Sequence, residues 1–128
     1  MHLIAHGIDL VDCARIEKML DNHEERFLKR IYTVNEQDYA NQARNRIERL
    51  AGRFAAKEAV LKLIGTGWRD KISWTDIEVI NNPLGKPEVN ITGQVRDIAR
   101  EMGIDQISIS ITHAADLAIA SVVALAHE

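Results

Sequence analysis

The stretch 43–64 constrains the fold most, because its apolar residues recur at the spacing of one long helix. At roughly 100° per residue they share an arc of about 100°, the width of a stripe that packs against a core. The residues of this stripe are Ile47, Leu50, Ala51, Phe54 and Leu61. A long helix of this kind needs a second layer, so we predict that it packs across a sheet made by the rest of the chain.

Glu58 falls inside the apolar arc, and Lys62 follows it one turn later. A carboxylate that faces a core costs free energy unless a cation or hydrogen-bond donors compensate it. One interpretation is an i,i+4 ion pair at the edge of the stripe, in the favourable Glu-before-Lys order. The other is a metal ligand or general base on a rigid helix, with Lys62 beside it to meet an anionic substrate. Spacing alone leaves both interpretations open.

Length and charge restrict the class of protein. The 128 residues suit one domain, which would bury about two thirds of its unfolded surface, and the net charge of −3 argues against bulk nucleic-acid binding. No apolar run nears the roughly 20 residues that span a bilayer, so we expect no membrane segment. The single cysteine, Cys13, cannot form an internal disulfide, and we expect an inert thiol in a cytoplasmic protein.

The N-terminal segment combines a strand with an unexplained carboxylate. Residues 3–11 are β-branched enough to predict a strand, and a helix is predicted to follow it over residues 14–20. Asp12 directly precedes that helix and is well placed as its N-cap. Asp9 is therefore left without a structural duty, which favours a role in a site.

Residues 12–42 predict two or three short helices. Asn22 followed by Glu25, and Thr33 followed by Glu36, both have the spacing of an N-cap with a reciprocal acid. Several basic residues and two apolar residues are interspersed here, which indicates either a solvated face or a docking surface for an acidic partner. The residues concerned are Arg15, Lys18, Met19, Arg26, Phe27, Lys29 and Arg30.

The second half of the chain predicts two hairpins joined by a helix. Strands are predicted over residues 76–81 and 88–91, with Lys86 near the tip of the turn between them, and a helix from Thr92 to Met102 follows. Ser108, Ser110 and Thr112 alternate with isoleucines in the next strand, which His113 ends, and residues 117–125 predict its partner. The order of elements predicts an α+β fold with a mainly antiparallel sheet.

Three separated motifs carry a resemblance to a known family. The helix sequence Gly52-Arg53-Phe54-Ala55-Ala56-Lys57-Glu58-Ala59 resembles the signature helix of the 4'-phosphopantetheinyl transferases, in particular the small holo-[acyl-carrier-protein] synthases. Gly7-Ile8-Asp9 and Ser110-Ile111-Thr112-His113 match two further motifs of that family, in the same order. The resemblance implies the family's fold over the single domain 1–128.

The activity that this resemblance implies is transfer of phosphopantetheine from coenzyme A, the co-substrate, to a serine of apo acyl carrier protein, in fatty acid biosynthesis. Asp9 and Glu58 then correspond to Mg²⁺ ligands, and Glu58, or a water that it holds, is the candidate base. Lys62 would bind a phosphate of coenzyme A. These three residues are the expected catalytic group.

Further residues are carried over by the same resemblance. The segments expected to hold adenosine and its phosphates contribute Gly65, Gly85, Lys86, Pro87, Ser110, Thr112 and His113. The region expected to dock the acidic carrier protein contributes Arg15, Met19, Arg26 and Phe27. The resemblance also implies a homotrimer with active sites between subunits, since each motif occurs once in this chain.

Overall fold

The computed structural model describes residues 1–65 and 72–127. Strands and helices alternate in the order that the sequence predicts. They are β1 (His2–Asp12), α1 (Cys13–Ile31), α2 (Val34–Asn41), α3 (Arg46–Ile64), β2 (Ile77–Asn81), β3 (Pro87–Ile91), α4 (Gly93–Glu101), β4 (Gln106–Ala114) and β5 (Leu117–Ala126). A single 3-10 turn at Trp74–Asp76 precedes β2.

The strands form two antiparallel sheets, which confirms the predicted α+β class. One sheet has the order β1-β5-β4, and the other is the β2-β3 hairpin. The central strand β5 turns Ala118, Ala120, Val122 and Ala124 inward, where they are buried against α3. The opposite face of this sheet, which we call the outer sheet face, has no helix of its own on the described residues.

Gly7 lets β1 approach α3 closely. A Cβ atom at this position would lie 2.2 Å from the backbone oxygen of Ala59, well inside van der Waals contact. Any larger residue would therefore push the strand away from the helix. This contact gives Gly7 of the N-terminal motif a structural reason.

Helix α3 is more deeply buried than the predicted stripe implies, and it begins at Arg46 rather than at residue 43. Between residues 50 and 64 every residue is buried except Glu58, which is half-buried, and Lys62, which is exposed. Glu58 lies within the predicted apolar arc but is only half-buried, at the side of α3 where Lys62 is exposed.

The charge that α3 does bury belongs to Lys57. Its Nζ lies 2.7 Å from Glu36 Oε1, and both side chains are fully buried. The same ammonium donates to the backbone oxygens of Trp74 and Ile77. Burial lowers the pKa of Lys57, and Glu36 opposes that shift. Because removing one partner of such a pair leaves an uncompensated charge, this pair ties α2, α3 and β2 together.

The helix starts are partly as predicted. Asp12 caps α1 by accepting a hydrogen bond from the Ala14 N–H at 3.0 Å, and Thr33 forms a reciprocal capping box at the start of α2. The helix start predicted at Asn22 corresponds to a break one residue later: α1 consists of two helical segments joined at His23, whose φ of −149° and ψ of 43° are not helical. On the described residues, no helix is long and apolar enough to cross a bilayer.

Candidate active site

The three expected catalytic residues come together where β1 crosses α3. Asp9 lies on the same side of β1 as Gly7, facing the helix, and its Oδ1 is 2.8 Å from the Nζ of Lys62. Lys62 also donates to the backbone oxygen of Ile8 at 3.1 Å. Its ion pair is therefore formed with Asp9 across the strand and helix, and not with Glu58 along the helix as one interpretation of the spacing held.

Glu58 is held next to a like charge. Burial raises the pKa of the Glu58 carboxyl, the nearby Asp9 raises it further, and Arg15 and Lys62 act in the opposite direction. Within residues 1–65 and 72–127, Glu58 forms no hydrogen bond or ion pair. Its oxygens are therefore available to a cation or to a proton-donating substrate.

The donor set fits a Mg²⁺ ion. Asp9 and Glu58 supply hard carboxylate oxygens from two different elements, and a cation between them would offset both their repulsion and the desolvation of Glu58. On the part of the chain that the structure describes, no group of three or more His, Cys, Asp or Glu residues surrounds a common point. Two carboxylates completed by water and phosphate oxygens suit Mg²⁺, which retains several waters.

A second cluster lies around the other side of α3 and lines a cavity of about 260 Å³. We call it the arginine cavity. It brings together three expected residues, Gly85, Pro87 and His113, with two that the sequence analysis did not assign, Arg49 and Arg53. These two arginines are four residues apart, so they project from the same face of α3. That spacing was the signal that could have identified them.

Arg53 is a buried cation that forms no ion pair with a carboxylate of residues 1–65 or 72–127. Only 5% of it is exposed, and one of its terminal nitrogens donates to Asn81 Oδ1 at 2.7 Å. Burial lowers the pKa of Arg53. Its Nε is buried with no hydrogen-bond acceptor on the described residues. A polar atom left unpaired in this way is costly, so the arginine cavity favours an anion.

His113 faces α3 from β4. Its Nε2 lies 2.9 Å from the backbone oxygen of Glu48 and donates to it, which places the ring proton on Nε2. A Cβ atom at Gly52 would lie 3.2 Å from this nitrogen, so the glycine makes room for the ring. Gly52 and Glu58 are about 9 Å apart along the helix axis and about 120° apart around it. One protomer therefore keeps His113 apart from the carboxylates.

The remaining residues expected to bind coenzyme A are dispersed. Ser110 and Thr112 are exposed on the outer sheet face, and Lys86 lines a separate cavity of about 480 Å³ between β3 and β4. Gly65 ends α3 in the left-handed conformation, with φ of 73°, and its N–H donates to Leu61. The sequence also predicts a turn over residues 65–67 after this helix, and Thr66 and Gly67 lie outside the described residues.

The four expected docking residues do come together. Arg15, Met19, Arg26 and Phe27 all line one cavity of about 450 Å³, which we call the docking cavity. Phe54 and Trp74 also line it, with their rings stacked at a centroid distance of 5.2 Å. The guanidinium of Arg15 lies 5.1 Å from the centre of the Phe54 ring. Sequence reasoning missed Trp74, because no periodic pattern connects it with α1.

The fold and the pair of carboxylates beside a lysine are consistent with the enzyme family that the sequence matches. The family model of the 4'-phosphopantetheinyl transferase superfamily matches residues 5–121, and the chain belongs to that superfamily. Within it, the similarities place the chain in the family of small holo-[acyl-carrier-protein] synthases. It is therefore an enzyme of the phosphopantetheinyl transferase class.

Individual relatives cover nearly the whole chain. A holo-[acyl-carrier-protein] synthase of Solibacter usitatus is 42% identical over 121 residues, which are 94% of this chain and 97% of the relative. The crystal structure of the Neisseria meningitidis synthase superposes with a TM-score of 0.87 at 35% identity, over 97% of this chain and 99% of that one. The Bacillus anthracis synthase, solved in complex with CoA (3',5'-ADP), gives a TM-score of 0.80 at 37% identity over 98% of both chains.

Proposed function

We propose that this protein transfers the 4'-phosphopantetheine group of coenzyme A to a serine of apo acyl carrier protein. The products are holo carrier protein and adenosine 3',5'-bisphosphate, and the pathway is fatty acid biosynthesis. The observation that carries the proposal is the meeting of Asp9, Glu58 and Lys62 on the open side of α3, whose residues 50–64 are otherwise buried. Membership in the transferase family supports it, as does the coenzyme A complex of the Bacillus anthracis relative.

The residues of this cluster suit phosphoryl-group transfer, which needs positioning and charge neutralisation more than covalent chemistry. Asp9 and Glu58 would hold Mg²⁺, which when bound supplies positive charge to the phosphate oxygens. Lys62 adds a second positive charge at the edge of the cluster, where its exposed ammonium can reach a phosphate. The carrier serine oxygen then forms a bond to the phosphorus that bears pantetheine, and the pyrophosphate P–O bond breaks toward the bisphosphate.

Glu58 is the proposed base that accepts the serine proton, directly or through a water. Glu58 forms no hydrogen bond or ion pair on the described residues and is only half-buried, so its carboxylate can meet the serine. His113 is the weaker candidate: its Nε2 already donates to Glu48, and its ring lies around the helix from the carboxylates. We assign His113 to ligand binding instead.

The arginine cavity is the proposed site for the 3'-phosphate of coenzyme A, with the adenosine beside it. Arg49 and Arg53 supply two positive charges, and the hairpin residues Gly85 and Pro87 supply an adjoining wall. Neither guanidinium forms an ion pair on the described residues, so a phosphate would be their first anionic partner. Lys86, between Gly85 and Pro87 in the chain, lines the separate cavity and would add a further positive charge nearby.

We also propose that the active enzyme is a homotrimer with sites between subunits. The carboxylates and the arginine cavity lie on different sides of α3, so a neighbouring copy would bring the second half-site to the first. The outer sheet face is suited to such a contact: Leu3, Ile8 and Leu10 are each more than half exposed on β1. Half-buried Leu117, Ile119, Val123 and Leu125 alternate with the inward residues of β5 and extend this apolar surface.

The carrier protein would dock on α1. Arg15 and Arg26 offer positive charge to an acidic partner, while Met19 and Phe27 offer apolar contact at the docking cavity. We further propose a cytoplasmic location and one transferase domain over 1–128. Burial raises the pKa of the Cys13 thiol, which supports the inert cysteine expected of a reducing compartment.

One assay separates this function from its alternatives. The chain is incubated with coenzyme A, Mg²⁺ and apo acyl carrier protein, and the carrier is weighed by mass spectrometry. The expected result is a carrier heavier by one phosphopantetheine, with equimolar bisphosphate released. A module that only binds coenzyme A would bind it without altering the carrier, and a purely structural trimer would do neither.

A further inference from the structure

Tyr39, on α2, contacts both cations of the arginine cavity. The guanidinium carbon of Arg53 lies 3.9 Å from the centre of its ring, and that of Arg49 lies 4.0 Å from the same centre. Arg49 also donates to the backbone oxygen of Tyr39 at 2.7 Å. The face of an aromatic ring attracts cations, so this one ring holds both guanidinium groups at the cavity.

The hydroxyl end of Tyr39 extends the same set of contacts. Its oxygen accepts a hydrogen bond from the Asn81 amide at 3.3 Å, and the Asn81 carbonyl oxygen accepts from Arg53 at 2.7 Å. The Asn81 amide also donates to the backbone oxygen of Gly85 at 3.4 Å. Tyr39 therefore links α2 and α3 to the tip of the β2-β3 hairpin, around the cavity.

The contacts of Tyr39 offset an unfavourable electrostatic environment of the two arginines. Arg49 and Arg53 repel each other, neither has a carboxylate partner on the described residues, and the Nε of Arg53 is buried without an acceptor. Without the Tyr39 ring, the mutual repulsion of the two arginines and the cost of desolvating them favour conformations in which their side chains leave the cavity. A preformed clamp avoids the cost of reordering two long side chains when the ligand binds.

We propose that Tyr39 is a positioning residue that holds Arg49 and Arg53 as a clamp for a phosphate monoester. It thereby sets the enzyme's preference for coenzyme A over 3'-dephospho-coenzyme A. This role rests on the proposed function, in which the arginine cavity receives the 3'-phosphate. The contribution of Tyr39 is selective for that phosphate, because its contacts reach the arginines and not the carboxylate cluster.

The test compares two variants with a control on the same helix. Tyr39→Leu removes the ring, Tyr39→Phe keeps the ring and removes the hydroxyl, and Gln42→Ala changes an exposed residue at the end of α2. Calorimetry gives the affinity of each protein for adenosine 3',5'-bisphosphate and for adenosine 5'-monophosphate. Kinetics with coenzyme A and with its 3'-dephospho form give kcat/KM for each donor.

Tyr39→Leu should lower the preference for the 3'-phosphorylated ligand by about tenfold in both measurements, the loss expected from two cation–π contacts. Tyr39→Phe should stay within about threefold of wild type, and Gln42→Ala should match wild type. Equal losses for both ligands in Tyr39→Leu would show a merely structural residue and overturn the proposal. So would a wild-type protein that does not prefer the 3'-phosphorylated ligand.

The two proposals fail in different ways. If the carrier gains no phosphopantetheine while the calorimetric preference falls as expected, the proposed function is wrong and Tyr39 still positions a phosphate clamp. If the carrier is modified normally and Tyr39→Leu keeps the full preference, the role of Tyr39 is wrong and the proposed function stands.

Discussion

At the scale of single residues, two neighbours in the signature helix have opposite environments. Lys57 is fully buried and paired with Glu36, whereas Glu58 is half-buried and has only electrostatic neighbours on the described residues. Because adjacent helix positions point about 100° apart, one can serve the core and the next the site. The motif therefore combines a structural cation with the carboxylate that we propose for the site.

The first prediction concerns the two carboxylates. Glu58→Gln and Asp9→Asn keep the side-chain shapes and remove the charges, so turnover should fall by about 100-fold or more, the usual value of a general base. Folding should survive, since Asp12 and not Asp9 caps α1. The measurement is activity against Mg²⁺ concentration, with thermal melts of each variant.

Asp12→Asn is the matched control, because it neutralises a carboxylate three residues away and asparagine still caps a helix. It should retain near-normal turnover. Two folded variants at Asp9 and Glu58 with wild-type turnover and metal dependence would remove both residues from the mechanism.

The second prediction is the pH dependence of stability. Burial and Asp9 raise the pKa of Glu58 in the folded protein above its ordinary value of 4.5, so the folded state binds this proton more tightly than the unfolded chain. The contribution of Glu58 to the free energy of unfolding therefore falls as the pH rises from 4.5 through the raised pKa. Above that pKa, Glu58 is ionised in both states and its destabilising effect is complete. Glu58→Gln removes that effect.

Denaturation without divalent metal should show this directly. Relative to wild type, Glu58→Gln should gain stability as the pH is raised from 4.5 to about 8, and Mg²⁺ should stabilise wild type more than the variant. A stability difference that is constant with pH would mean that Glu58 does not titrate abnormally.

At the scale of secondary-structure elements, the site depends on how closely β1 approaches α3. Gly7 permits that approach, and Asp9, two residues later on the same side of the strand, reaches Lys62 because of it. The glycine and the aspartate of the N-terminal motif thus have different tasks. Gly7 sets the distance between β1 and α3, and Asp9 reaches Lys62 because that distance is short.

The third prediction follows from this contact. In Gly7→Ala the new methyl group would lie 2.2 Å from the Ala59 oxygen, so β1 must shift and carry Asp9 with it. A displacement of about 1 Å at a reacting centre commonly costs about 100-fold in rate, and overpacking costs about 1–3 kcal/mol of stability. Steady-state kinetics and urea unfolding measure the two effects.

Gly103→Ala separates those effects. Gly103 has φ of 80°, and a Cβ atom there would have no neighbour within 4 Å, so the change strains the backbone far from the site by about 1–2 kcal/mol. It should lose stability and keep its turnover. If Gly7→Ala loses no more activity than Gly103→Ala, the approach of β1 does not control the site.

At the scale of the whole molecule, one protomer presents three separate clusters: the carboxylates with Lys62, the arginine cavity and the docking cavity. A single coenzyme A has to place its 3'-phosphate and its pyrophosphate at once. In the proposed trimer, the carboxylate cluster of one copy would lie beside the arginine cavity of another. The apolar outer sheet face would be covered in the same assembly.

The fourth prediction tests this assembly. Ile8→Lys places a charge midway along β1, an edge strand of the outer sheet face, where 59% of Ile8 is exposed in one protomer. Burying an unpaired charge at an interface costs several kcal/mol, so the trimer should weaken by at least about 100-fold and turnover should fall with it. Val34→Lys is the control, since Val34 is 72% exposed on α2 and away from this face.

Sedimentation velocity at micromolar concentration, paired with activity, gives the outcome. Wild type and Val34→Lys should sediment as trimers, and Ile8→Lys as a monomer. A wild-type monomer with full activity would contradict the assembly.

Much of the secondary structure could be predicted from the sequence, and the resemblance of its motifs to those of a known family indicated which residues to expect in the site. The period-2 pattern of β4, the Asp12 and Thr33 caps and the α+β order are local or nearly local properties, and the structure confirms them. The motifs at Asp9 and Glu58 indicated the carboxylate pair, because they match two motifs of the family in the same order along the chain.

Only the tertiary structure decided which partner each charge has. Helical spacing left open whether Glu58 pairs with Lys62 or belongs to a site. In the structure Lys62 pairs with Asp9, and Glu58 is half-buried beside them. Arg53 and Tyr39 likewise meet only because α2 packs on α3. Such contacts depend on how segments that are distant in the sequence pack together, and local periodicity does not predict that packing.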